Sequence, residues 1–167
     1  MPFTPLHMGL GLAVKAVLNK KFSLMVFGWS QIAIDLQPLV VLTTGRGELH
    51  GLSHTLLGAT LIGLLCGVTG KHLGELGLRI LREPRHLPIS WGVSFASAFI
   101  GTYSHIFIDS VMHVDVLPLL PLSTDSPLHG IISINDLHVL CLMAAVVGGL
   151  IWYGVDRWTR RPHKALE

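Results

Sequence analysis

Ten histidines stand among the 167 residues, and three stretches set them or an aspartate where metal chemistry is possible. The densest is Tyr103-Ser-His105-Ile-Phe-Ile-Asp109-Ser-Val-Met-His113-Val-Asp115. His105, Asp109 and His113 recur every four residues, which puts them on one face of a helix. Imidazole with carboxylate is the ligand set of zinc and similar divalent cations. A carboxylate between imidazoles in an apolar helix is costly unless it is paired or holds a metal. The alternative is a satisfied polar seam for His105 and Asp109, and plain solvation for His113 and Asp115.

The second stretch is Ser30-Gln-Ile-Ala-Ile-Asp35-Leu-Gln-Pro38, where Asp35 interrupts an otherwise uncharged run. An ionisable group inside such a run points to function, the alternative being a hydrogen bond to Ser30, Gln31 or a neighbouring helix. The third is His50-Gly-Leu-Ser-His54-Thr55. Its two histidines could share a helix face, although Gly51 can place His50 ahead of the helix as a solvated loop residue. His54, directly before an apolar run, is the stronger ligand candidate. His7, one turn into an N-terminal helix, is either an interfacial histidine or a further ligand. His129 and His138 fall in a loop and at the start of the last helix, where Ser133 and Asp136 have capping-box spacing.

Other chemistries lack their residues. There is no Gly-x-Ser-x-Gly, P-loop, His-Glu-x-x-His or Gly-x-Gly-x-x-Gly, and neither Cys66 nor Cys141 forms a CxxC. A metal-activated water is the hydrolytic mechanism these residues support, with Asp35 as general base.

The elements that must position these groups read as membrane helices. Half of the residues are hydrophobic, 13% are charged and the mean hydropathy is +0.60, whereas soluble domains carry about 25% charged residues. With a net charge of +2, this composition argues against a nucleic-acid binder, a disordered chain or a disulfide scaffold. A spanning helix needs about 20 apolar residues. Residues 49–70, 87–108 and 137–155 supply that length without Asp, Glu, Lys or Arg, and 22–44 does so with Asp35 alone. The expected fold is therefore an all-α membrane bundle of about five helices: four firm spans plus a short N-terminal helix over 6–18, started by Thr4 and Pro5. The whole chain, 1–167, reads as one membrane-embedded domain. Within it, 71–86 is expected to be an amphipathic helix on the inner surface and 156–167 a basic cytoplasmic tail. The start shows no signal-peptide pattern, so the N-terminus is expected to be retained.

With five spans, eleven of the twelve Lys and Arg residues fall on one side and only Arg46 on the other, which makes the crowded side cytoplasmic. His7, His50, His54, His105, His113, His129 and His138 then gather with Asp35, Asp109 and Asp115 at the outer end.

The order of these elements resembles the YdjM-type membrane-bound metal-dependent hydrolases. The resemblance runs over nearly the whole chain and rests on Met1-Pro-Phe-Thr-Pro-Leu-His7, Gln31-Ile-Ala-Ile-Asp35, His50-Gly-Leu-Ser-His54-Thr and Ser104-His105 through Asp109 to Met112-His113. That family in turn is similar to the zinc-dependent phospholipase C and nuclease superfamily, whose helical core holds zinc ions. The resemblance implies a central site of Asp35, His54, His105 and Asp109. Asp109 would bridge to a site using His7, and His113, His129 or His138 would serve another. It also implies a hydrolase in a bacterial inner membrane; a phosphoester of a small-molecule or lipid substrate is expected, the lipid from the embedding of the site, with a peptide or other ester as the alternative. This sequence lacks the superfamily's late His-x-x-x-Glu pair, so one or two metals are expected rather than three. The rival expectations are a metal or proton transporter, and a non-catalytic membrane protein with a structural metal. Transport needs polar residues through the full thickness, and the inner halves of these spans are nearly all apolar.

Overall fold

The computed structural model describes residues 6–159. The predicted cap at Thr4 and Pro5, and the basic tail beyond Thr159, lie outside the described residues. Six helices form in the order α1 (His7–Leu18), α2 (Leu24–Ile34), α3 (Leu36–Thr44), α4 (Leu56–Ile80), α5 (Trp91–Met112) and α6 (Ile134–Thr159), and no strand occurs among the described residues.

Hydroxyl caps set where the helices begin. Ser23 Oγ accepts from the Val26 amide, Thr55 Oγ1 from Gly58 and Ser90 Oγ from Val93. Each satisfies one of the amides that a helix start leaves without an intrahelical partner. At the start of α6 the Asp136 amide donates to Ser133 Oγ at 3.1 Å while the Ser133 hydroxyl donates to the Asp136 carboxylate at 2.7 Å, matching the predicted capping spacing. α3 ends at Gly45 with φ +66°, a left-handed position that glycine adopts without a Cβ penalty.

α1 packs along α6, α4 along α5, and α2 lies against both α4 and α5. Glycines allow these close approaches. A Cβ on Gly63 or Gly67 of α4 would run into the rings of Phe99 and Phe95 of α5, and one on Gly148 of α6 would meet the backbone of Leu12 and Ala13 in α1.

The distribution of polarity is that of a membrane protein. Leu61, Leu64 and Leu65 of α4 and Val139, Met143, Leu150 and Ile151 of α6 are exposed, whereas His7, Ser30, Asp35, His54, Ser94, Ser97, His105 and Asp109 are buried. Water would penalise so much exposed apolar surface, and hydrocarbon does not.

Leu24–Thr44, Leu56–Ile80 and Ile134–Thr159 are long and apolar enough to cross a bilayer. The expectation of four firm spans is thus corrected to three. α5 has the length, 22 residues, but Ser94, Ser97, Thr102, Ser104, His105, Asp109 and Ser110 lower its hydropathy. Those residues serve its position inside the bundle, between α2 and α4. The surface helix expected over 71–86 is not a separate element either. α4 continues unbroken to Ile80, and Gly70 within it packs closely against Val26 and Trp29 of α2. Lys71 and Glu75 pair on its face, and Lys71 donates to the Ile89 carbonyl at 2.7 Å. A short 3-10 turn at Pro84–His86 follows.

Candidate metal centre

Four side chains from three places in the chain converge at one end of the bundle. Asp35 sits at the break between α2 and α3, His54 in the 3-10 turn Leu52–His54 ahead of α4, and His105 and Asp109 one turn apart near the end of α5. All four are nearly inaccessible, at 4%, 1%, 1% and 5% exposure.

His105 Nε2 lies 3.1 Å from Asp109 Oδ2 and 3.2 Å from Asp35 Oδ1. His54 Nε2 lies 3.3 Å from the same Asp109 oxygen and 3.8 Å from the same Asp35 oxygen. All four atoms fall within 4.8 Å of one another. A tetrahedral zinc site with bonds near 2.1 Å would separate its ligand atoms by roughly 3.4 Å. The observed spacings bracket that value.

The two imidazole Nε2 atoms are buried, and neither makes a hydrogen bond of acceptable direction to any described residue. Unsatisfied buried nitrogens are costly, and a cation at their common focus removes the cost. The residues present therefore fit a divalent metal ion.

Neighbouring groups set the tautomer of one ligand. The amide of Gln31 donates from Nε2 to the Gly101 carbonyl at 2.9 Å, which turns its Oε1 toward His105 Nδ1 at 2.8 Å. An amide oxygen only accepts, so Nδ1 carries a proton, and Nε2 is the nitrogen that faces the focus and would give its lone pair to a cation there. His54 Nδ1 is 2.9 Å from Ser53 Oγ. The Ser53 amide donates to Gln37 Oε1 of α3 at 2.9 Å, tying the histidine-bearing turn to the segment that follows Asp35. These supporting roles of Gln31, Gln37 and Ser53 were not evident in the sequence. The Gln31 and Gln37 amides flanking Asp35 were the available signal.

The remaining candidates separate. His7, at the start of α1, is 4% exposed and has neither ring nitrogen hydrogen-bonded to a described residue. Its Nε2 faces the other oxygen of Asp109, Oδ1, at 3.5 Å, and its ring meets His105 edge-on at 4.7 Å.

His113 leaves the helix face on which the four-residue spacing had put it. α5 ends at Met112 and His113 turns to extended backbone, φ −120° and ψ 124°. It stacks on His50 at 4.6 Å, and His50 Nδ1 lies 2.8 Å from Asp115 Oδ2, so His50, His113 and Asp115 form a second group. Burial pulls the His113 imidazole below its ordinary range. For Asp115 burial acts upward, but the hydrogen bond and charge of His50 outweigh it and hold the carboxyl below its usual range. His50 also touches His54 edge-on at 4.9 Å, so the two groups adjoin. His129 is exposed in the loop before α6, and neither it nor His138 joins either group. His138 Nε2 is buried without a hydrogen-bond partner among the described residues.

No family model, no curated protein and no solved structure matches the chain.

Proposed function

We propose that this protein is a membrane-bound metal-dependent hydrolase that cleaves a phosphoester of a small-molecule or lipid substrate, with zinc as its metal. The observation that carries the reading is the convergence of two unsatisfied imidazole nitrogens and two carboxylates at tetrahedral spacing. The resemblance to the YdjM-type hydrolases points to the same four residues. A bacterial inner membrane with the site on the non-cytoplasmic side follows from that resemblance and from the positive charges at the other end of the bundle.

His54, His105 and Asp109 would hold the ion. When bound, it would supply Lewis acidity and lower the pKa of a water molecule to near neutrality. Asp35, at the junction of α2 and α3 with Oδ1 3.2 Å from His105, is assigned as general base, taking a proton on its carboxylate. His105, oriented by Gln31, would give its Nε2 lone pair to the ion.

A second reading has its own support. Four buried donors are the complement of a closed structural site, whereas catalytic sites keep one position open. Asp35 separates the two. In the hydrolase, Asp35→Asn keeps most of the zinc and loses turnover by roughly 10²-fold or more. In a structural site, the same change lowers zinc occupancy, and the wild type turns over nothing. The experiment measures zinc by elemental analysis of purified full-length protein alongside chromophore release from a bis-phosphoester and a short-chain phospholipid. Zinc without turnover of either compound would favour the structural reading, and absence of zinc would remove both.

A further inference from the structure

At the end of the bundle opposite the candidate metal centre, the ends of α1, α4 and α6 and the starts of α2 and α5 leave a cavity of about 460 Å³, with His86 among its lining residues. That volume is within the range of small-molecule pockets, and no residue of the metal centre lines it. Its walls include Phe22, Leu78, Ile89 and Val93, which a hydrated ion could not fill favourably. Its charged lining is one-sided: Lys15, Lys20 and Arg85 against Glu83.

These charges differ in availability. The Lys15 ammonium is buried and donates to the carbonyls of Asn19 and Phe22 at 2.8 Å each, so it fixes the turn beneath the cavity while adding positive potential. Arg85 contacts Glu83 at 2.9 Å and Asp156 at 3.5 Å, two contacts for a guanidinium with five donors. Lys20 is exposed and has no ion-pair partner among the described residues. Trp152 of α6 lines the same space, and its indole Nε1 is buried with no hydrogen-bond acceptor among the described residues. A buried N–H of this kind favours an oxygen acceptor within the cavity.

Apolar walls, surplus positive charge and an unsatisfied N–H describe a ligand with an anionic oxygen-rich head and a hydrocarbon body. We propose that this cavity binds an anionic phospholipid drawn from the adjoining leaflet, with its phosphate at Lys20, Arg85 and the Trp152 indole and its glycerol and upper chains against Phe22, Leu78 and Ile89. The end concerned also carries Lys21, Arg79 and Arg82, and basic clusters at a membrane face concentrate anionic lipid. Free phosphate shares the head chemistry but leaves the apolar walls unfilled.

Full-length protein should be compared in phosphatidylcholine nanodiscs with and without phosphatidylglycerol, by native mass spectrometry and by melting temperature. Retained phosphatidylglycerol, with a higher melting temperature that neither phosphatidylcholine nor inorganic phosphate reproduces, is the expected result. Lys20→Glu should weaken retention about tenfold or more, and Trp152→Phe, which keeps the ring and removes the donor, should weaken it severalfold. Zinc content should not change in either variant, so this site stands or falls separately from the metal centre. Equal retention of both lipids, stabilisation by inorganic phosphate alone, or unaltered phosphatidylglycerol binding in both variants would overturn the proposal.

Discussion

At the residue scale, the four buried side chains of the candidate metal centre would act as one unit, and their substitutions should reveal it. Asp109→Asn keeps the shape of the side chain but removes a charge that balances a dication, and His105→Ala removes a neutral donor one turn earlier. Each is expected to cut zinc occupancy in purified protein, because a four-donor site with one ligand removed binds poorly. Gln31→Leu leaves all four ligands in place but releases His105 Nδ1 from its acceptor. Affinity should fall about 10- to 100-fold, the usual effect of losing such a support, measured by competition with a zinc chelator. His129→Ala, in neither group, is the control and should bind zinc as the wild type does. His113→Ala should leave the Asp35, His54, His105 and Asp109 site loaded. Loss of all zinc in that variant would show that the two adjoining groups form one centre.

At the element scale, glycines hold the ligand-bearing segments in contact, and two of them make a discriminating pair. A Cβ on Gly58 of α4 would sit 1.9 Å from the Leu52 carbonyl oxygen, inside the turn that ends at His54. Gly58→Ala must therefore displace that turn, and both zinc content and melting temperature should drop. Gly148→Ala presses on α1 instead, 2.5 Å from the Ala13 amide nitrogen. It should cost stability on the order of 1–3 kcal/mol while leaving most of the zinc, since α1 carries only His7. Zinc loss of equal size in both variants would mean that the site depends on the whole bundle rather than on the turn. The break at Asp35 belongs to this scale as well. α2 and α3 meet there, Pro38 enters the first turn of α3, and a single apolar run becomes two helices with a carboxylate at their junction.

At the scale of the whole molecule, the ion would link α5, the turn before α4 and the α2–α3 junction. Membrane helices associate through packing and weak polar contacts, so a shared ion adds stability as RT ln(1 + [L]/Kd), about 2.7 kcal/mol at a hundredfold excess over Kd. Chelation should lower the melting temperature in detergent, and zinc should restore it. An identical curve with and without chelator would count against a metal that ties the bundle together. Reporter fusions test sidedness: one after Arg85 should read cytoplasmic and one near Asp125 external. The reverse pattern would put the metal centre on the cytoplasmic side and remove its proposed location.

The all-helical fold, the membrane character and the four central residues were legible in the sequence. Each is written in a local signal: long uncharged runs, hydroxyl caps, and ionisable groups where apolar residues are expected. Helical spacing alone linked His105 to Asp109. It failed for His113 because a period of 3.6 residues holds only while the helix lasts, and α5 stops one residue before it. Composition also overstated the number of spans, since α5 is uncharged but for Asp109 yet is turned inward with its serines. The joining of Asp35 to His54, the tautomer of His105 through Gln31 and Gly101, and the division of the histidines into two adjoining groups were decided by tertiary structure. Asp35 and His54 are 19 positions apart and Gln31 and His105 are 74 apart, and only the packing of α2 against α4 and α5 brings them together.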